Sequence, residues 1–220
     1  MAGFLLPLSG GIDSCATAVI VFSMARMVYK SIQHGDETVL ADCRRIAGAY
    51  EAKDWIPSSP QAIMKNLLHT VYMGMKTQSS SETRKRAKDL SEAIGSYHLE
   101  TEIDRMFDAC KAIGEQSTGF KANFEVYGGT PTENLALQNI QSRSRMVLAY
   151  YHAQILPLSR GRPGGGSLLV LGSANCDESL AGYFSKYDNS SADVSECHSF
   201  GFCKSADSNE DQSHWLHLQS

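Results

Sequence analysis

Ser9-Gly10-Gly11-Ile12-Asp13-Ser14 sets two glycines between hydroxyls and a carboxylate, a combination suited to holding a phosphate. Glycine has no Cβ, so backbone N–H groups can turn toward an anion, and the start of a following helix adds the positive end of its dipole. Ser9 and Ser14 add hydroxyls, and Asp13 adds a carboxylate able to hold a magnesium ion against phosphate oxygens. The run has neither the lysine of the Walker motif nor the spacing of the dinucleotide fingerprint. From the residues alone, a tight strand-to-helix turn with Asp13 as a helix cap fits equally well.

The elements around this turn follow from hydrophobic period and punctuation. Phe4-Leu5-Leu6-Pro7-Leu8 reads as a buried strand leading into the turn, and Ala16, Val19, Ile20, Met24, Met27 and Val28 then recur at helical spacing. Thr38 to Ala49 is a second helical segment, and Ser59-Pro60 gives a third its cap and first-turn proline. His69 to Gly74 is β-branched and aromatic, as a strand should be. Ser79 and Glu82, at capping-box spacing, open a helix through Ala87, Leu90 and Ile94 to Gly95. Tyr97 to Ile103 forms a third strand, followed by a helix through Met106, Cys110 and Ile113. Thr130-Pro131-Thr132-Glu133 starts a long helix reaching about Leu156, and Leu168 to Leu171 is an apolar strand emptying into Gly172-Ser173-Ala174-Asn175. This alternation predicts an α/β fold, a doubly wound parallel sheet with helices on both faces and ligands beyond the carboxyl ends of the strands.

A 220-residue chain that is 42% hydrophobic and 20% charged fits one domain with its own core. Net charge is −4 and the basic residues are scattered, which excludes a broad nucleic-acid footprint. The apolar run from Ala16 to Val28 is interrupted by Ser23 and Arg26 and is too short to span a bilayer, and Met1 to Phe4 lacks the basic region of a signal peptide. A cytoplasmic protein without membrane contact is expected, and the single cysteines at 15, 43, 110, 176, 197 and 203 are expected as free thiols. The domain is drawn over residues 1–194. Residues 195–220, rich in Ser, Asp, Asn and Gln, are expected to be a disordered tail, and the spacing of Cys197, His198, Cys203, His214 and His217 matches no common zinc site.

Several later residues bear on the same site. On the helix from Thr130, Leu137, Ile140, Val147, Tyr151 and Ile155 make an apolar face, and Asn134, Gln138, Gln141 and Arg145 make a polar stripe. Arg143 falls near the apolar edge, where a guanidinium needs an anion, either a protein carboxylate or a ligand phosphate. Glu178 is either a first-turn helix acid or, with Asp13 at another strand end, half of a magnesium site. Lys186 is a solvated lysine or the complement of a phosphate-bearing substrate.

Four stretches together carry a resemblance. The loop Pro7-Leu8-Ser9-Gly10-Gly11-Ile12-Asp13-Ser14 is similar to that of the ATP pyrophosphatase superfamily. Glu133 to Arg143, Leu171 to Ser179 and Ser185 to Asp193 resemble glutamine-dependent NAD synthetase of the eukaryotic type, and the likeness covers residues 2 to 194. It implies ATP and Mg2+ as cofactors, deamido-NAD and glutamine-derived ammonia as substrates, and homo-oligomeric assembly. It implies catalytic roles for Ser9 and Asp13, ATP contacts from Pro7, Leu8, Ser9, Gly10, Gly11, Ile12, Asp13, Ser14 and Ser173, magnesium at Asp13 and Glu178, and dinucleotide contacts from Arg143, Lys186 and Asp193. Family members also carry a carbon–nitrogen hydrolase domain and helices beyond the Asp193 position. Neither is recognisable here, so the segment reads as a synthetase domain truncated at both ends, with a non-catalytic nucleotide-binding remnant as the alternative.

Overall fold

A computed structural model describes residues 2–48, 54–76, 78–162, 164–182 and 185–195. The expected order of elements is present. Strands β1 (Phe4–Pro7), β2 (Leu68–Gly74), β3 (Tyr97–Glu102) and β4 (Leu169–Gly172) alternate with helices α1 (Ile12–Gln33), α2 (Glu37–Ala47), α3 (Pro60–Leu67), α4 (Ser81–Ile94), α5 (Asp104–Thr118) and α6 (Pro131–Ser159). A short helix α7 (Cys176–Leu180) and a two-residue strand β5 (Val194–Ser195) complete the set. All pairings are parallel and the strand order is β3-β2-β1-β4-β5. The order reverses at β1, so the crevice between the ends of β1 and β4 is the topological switch point, where open parallel sheets bind ligands.

Alternate residues of the central strands feed two cores. Leu6, Leu8, Leu68 and Tyr72 pack with Ala18, Val21, Ile63, Met64 and Ala87 on the face covered by α1 to α4. Leu5, Val71, Met73 and Val170 pack with Phe107, Leu137, Ala149 and Ala153 on the face covered by α5 and α6. β2 is buried along its whole length, as a central parallel strand should be.

The caps at Ser59 and Thr130 form as expected. Ser59 accepts from Ala62 N, and Thr130 and Glu133 exchange a reciprocal capping box. The cap of α4 is Ser80, which accepts from Glu82 N, whereas Ser79 accepts from Met75 N and closes the preceding turn. Helix α2 starts at Glu37, one residue ahead of the expected Thr38, and is capped by Asp36.

The faces of α1 and α6 differ from the periodicity reading. On α1 the buried stripe is Ser14, Thr17, Ala18, Val21, Ala25 and Ile32, while Ala16, Val19, Ile20 and Met27 are exposed. On α6 the buried stripe includes Leu137, Gln141, Ser144, Met146, Ala149 and Ala153, while Val147, Tyr151 and Ile155 face outward. Small residues let both helices lie close against the sheet, and the larger apolar side chains project away from it. The full α1 helix is long and apolar enough to cross a membrane by length and composition, and here it packs on the sheet through its small-residue stripe. The tail residues from 196 onward, with the five candidate metal ligands and their expected disorder, lie outside the described residues.

Candidate nucleotide site at the switch point

The Ser9–Ser14 turn leaves β1 and enters α1 at the switch point. Gly10 has φ +79°, and a Cβ there would collide with the carbonyl oxygen of Thr83 on α4, so both conformation and space require glycine. Gly11 is the N-cap of α1 and no side chain caps the helix, so first-turn N–H groups remain open to a ligand. Asp13 is therefore not the cap; its carboxylate sits in the first turn. Ser9 Oγ accepts from Gly11 N at 3.2 Å and lies 3.0 Å from Ser14 Oγ, which itself donates to Gly11 O at 3.1 Å. The two hydroxyls hold the loop shape.

Across the crevice, β4 ends at Gly172 and the chain passes Ser173 into α7. Asn175 caps α7 by accepting from Glu178 N at 2.8 Å, and Glu178 Oε2 accepts from Asn175 N at 3.2 Å. Glu178 is thus a capping-box residue as well as a candidate ligand. Burial, opposed by the Asn175 N–H and reinforced by the negative charges of Asp13 and Asp188, raises its pKa above the usual carboxylate range. The effect of the Asp13 charge on Glu178 shows that the two carboxylates, at the ends of two strands, lie within electrostatic reach of each other. Two carboxylates that repel each other are groups a magnesium ion could bridge, since it takes few protein ligands when a polyphosphate supplies the rest. Among the described residues no group of three or more His, Cys, Asp or Glu is arranged to hold a metal by itself.

Residues 185–193 form the second wall. Asp188 accepts from Ser185 N and Ser190 N with its two oxygens, and Asn189 Nδ2 donates to Ser173 Oγ at 2.9 Å. Gly172 lets this wall approach, since a Cβ would lie 2.9 Å from Asn189 O. The Ser185 hydroxyl donates to Asn139 Oδ1, and Arg143 Nε donates to the Lys186 carbonyl at 3.0 Å, tying the wall to α6. Arg143 is exposed and pairs with a backbone carbonyl, so its guanidinium face remains available. Lys186 Nζ lies 5.0 Å from the Tyr187 ring centroid, and Tyr187 holds the left-handed φ of +69° that non-glycine residues seldom adopt. Asp193 uses both oxygens within the protein, accepting from Val170 N at 2.8 Å and from the Tyr150 hydroxyl at 3.0 Å. Any dinucleotide contact there would draw on its remaining lone pairs.

Three features escaped sequence reading. Arg145, placed on a polar stripe, is the largely buried arginine of α6, donating from Nε to Met73 O at the carboxyl end of β2. Asn189 and Asp188 organise the second wall; the Asp188–Ser190 spacing of an Asx turn was the available signal.

Comparison with known proteins gives the family and the fold. The family model for NAD synthase matches residues 1–200. The chain belongs to the NAD synthase family. Glutamine-dependent NAD(+) synthetase of Saccharomyces cerevisiae is 55% identical over 192 residues, covering 87% of this chain and 26% of that protein. The human protein of the same description is 50% identical over 193 residues, covering 88% of this chain and 26% of its own length. The chain therefore spans about a quarter of the length of the curated relatives it matches. A glutamine-dependent NAD(+) synthetase structure from Cytophaga hutchinsonii shares the fold, with a TM-score of 0.64 at 23% identity over 87% of this chain and 30% of that one. One from Acinetobacter baumannii, solved with ADP, gives a TM-score of 0.52 at 20% identity over 88% of this chain and 26% of that one.

Proposed function

We propose that this chain is the ATP-dependent synthetase part of an NAD-forming amide ligase. The observation that carries the reading is the pairing of an uncapped α1 N-terminus behind Gly10 and Gly11 with the Asp13 and Glu178 carboxylates across the switch point. In this reading the α-phosphorus of ATP is attacked by the nicotinate carboxylate of deamido-NAD, pyrophosphate leaves, and ammonia derived from glutamine displaces AMP from the acyl carbon. Backbone N–H groups of the Ser9–Ser14 turn and the helix dipole stabilise charge on the phosphates. Asp13 and Glu178 would hold Mg2+, whose charge offsets that on the leaving pyrophosphate. Ser173, fixed by Asn189, faces the nucleotide, and Arg143 and Lys186 attract the second, phosphate-bearing substrate.

Two companion proposals go with it. Val147, Tyr151 and Ile155 form an exposed apolar row at i+4 steps on α6, of the kind an oligomer interface covers. The unbridged thiols of Cys15, Cys43 and Cys110 suit the cytosol.

The test is incubation with ATP, magnesium, deamido-NAD and ammonium, following NAD and pyrophosphate. Formation of both is expected. ATP binding without either product replaces the ligase reading with that of a nucleotide-binding domain.

A further inference from the structure

At the other end of the sheet from the glycine turn lies a second cavity, of about 160 Å³. It opens between the amino ends of β1 and β2 and the carboxyl ends of α2 and α6, and its wall includes Ala2, Asn66, His69, Arg160, Arg162 and Leu168. His69 is only 3% exposed. Its Nε2 lies 2.6 Å from Arg160 Nη1, and because a guanidinium can only donate, Nε2 is the acceptor and the neutral ring carries its proton on Nδ1. The Nδ1 proton is directed to the Phe4 carbonyl of β1. Burial and then the Arg160 charge hold the His69 pKa down to about 4, with the Phe4 carbonyl pulling weakly the other way.

The charge in this wall exceeds what the fold needs. Arg160 lies 4.2 Å from the Tyr97 ring centroid, and Arg162 donates to Ala2 O at 2.7 Å and Arg45 O at 2.8 Å. Both guanidiniums retain unused N–H donors. Among the described residues neither is in an ion pair with a carboxylate. The carboxyl ends of α2, α3 and α6 together present on the order of 1.5 negative charges against two positive ones, so a fraction of a positive charge is left over. Apolar Ala2, Ile46 and Leu168 limit the space to a group of a few heavy atoms.

We propose that this cavity is a binding site for a small oxyanion, the size of orthophosphate or a short carboxylate, held by Arg160 and Arg162. It is separate from the nucleotide crevice, because the two lie at opposite ends of the same strands. Two guanidiniums lining one small cavity, with unused N–H donors and no carboxylate partner among the described residues, are what an oxyanion completes.

The test is titration of the whole chain with inorganic phosphate at constant ionic strength, reading the His69 ring protons and the Gly10 and Gly11 amides by NMR. A saturable His69 shift is expected. It should weaken at least tenfold in Arg160→Gln and persist in Ser9→Ala, in which the glycine turn is altered. Arg162→Gln, which leaves the His69–Arg160 contact intact, gives the same test should Arg160→Gln fail to fold. A parallel titration with AMP checks the size limit: a His69 shift with phosphate and not with AMP assigns a free small anion, and one with AMP alone overturns the proposal. Response of Gly10 and Gly11 only, or a His69 shift that chloride reproduces, overturns the proposal.

Discussion

The Asp193 carboxylate accepts a hydrogen bond from the backbone N–H of Val170 at 2.8 Å, so a side chain from the second wall closes the edge of β4. Its other oxygen takes the Tyr150 hydroxyl of α6 at 3.0 Å. Asp193→Ala leaves the buried Val170 N–H without its acceptor, while the Tyr150 hydroxyl keeps the Ser191 carbonyl at 3.3 Å, and should cost about 1–3 kcal/mol, read as a lower urea midpoint. Tyr150→Phe should cost less, on the order of 1 kcal/mol, because the Val170 bond survives. Equal losses in the two variants would contradict this division of roles.

Glu178→Gln keeps a side chain able to close the capping box with Asn175 while removing the repulsion from Asp13 and Asp188. Because the folded-state pKa of Glu178 is raised, its ionised form costs stability above that pKa, and the cost fades as pH falls through it. The variant should therefore be slightly more stable at neutral pH, by about 1–3 °C in Tm after allowance for solvent screening, and should lose magnesium-dependent ATP binding. In the unaltered chain, magnesium-dependent binding should weaken with falling pH earlier than an ordinary glutamate would make it. Calorimetry with and without magnesium reads both effects.

Gly10→Ala combines a left-handed φ with a collision against Thr83 O. A loss of about 1–3 kcal/mol and of ATP affinity together is expected, because the turn and α4 must separate. Unchanged thermal melting would show that the turn is not held as described.

His69, with a pKa held down to about 4, should lower stability as pH falls. The unfolded ring takes its proton near 6.5 and the folded one does not, so stability is whole above about 6.5 and declines down to about 4. Over that window the loss is at most about 3 kcal/mol. The His69 C2-proton titration by NMR should have its midpoint near 4; a midpoint near 6.5 would remove this source of acid sensitivity.

The parts legible in the sequence were those governed by neighbours a few residues apart. Ser59 with Pro60 and Thr130 with Glu133 act through hydrogen bonds at fixed offsets, so residue types alone place them. Ser79 and Ser80 show the limit: either could cap α4, and the contact of Ser79 with Met75 decides it. The faces of α1 and α6 were misread because hydrophobic periodicity weights large side chains, whereas Ala18, Ala25, Ala149 and Ala153 make the close approach to the sheet. At the site, the glycine turn stood out locally, but Arg145 reaching Met73 and Asp193 reaching Val170 depend on long-range packing, which spacing along the chain does not encode.

The crevice lies beyond the carboxyl ends of β1 and β4, and the pairing of these strands, Phe4 with Leu169 and Leu5 with Val170, joins the two ends of the described fold. Such a pairing closes a very long loop and belongs among the last, slowest contacts a chain makes. Partly folded chains holding β1, β2 and β3 would already display the glycine turn yet lack Ser173 and Glu178 facing it. Magnesium-dependent nucleotide affinity would then arise late in refolding, in step with the β1–β4 seam, and a bound nucleotide would act as a clamp across that seam.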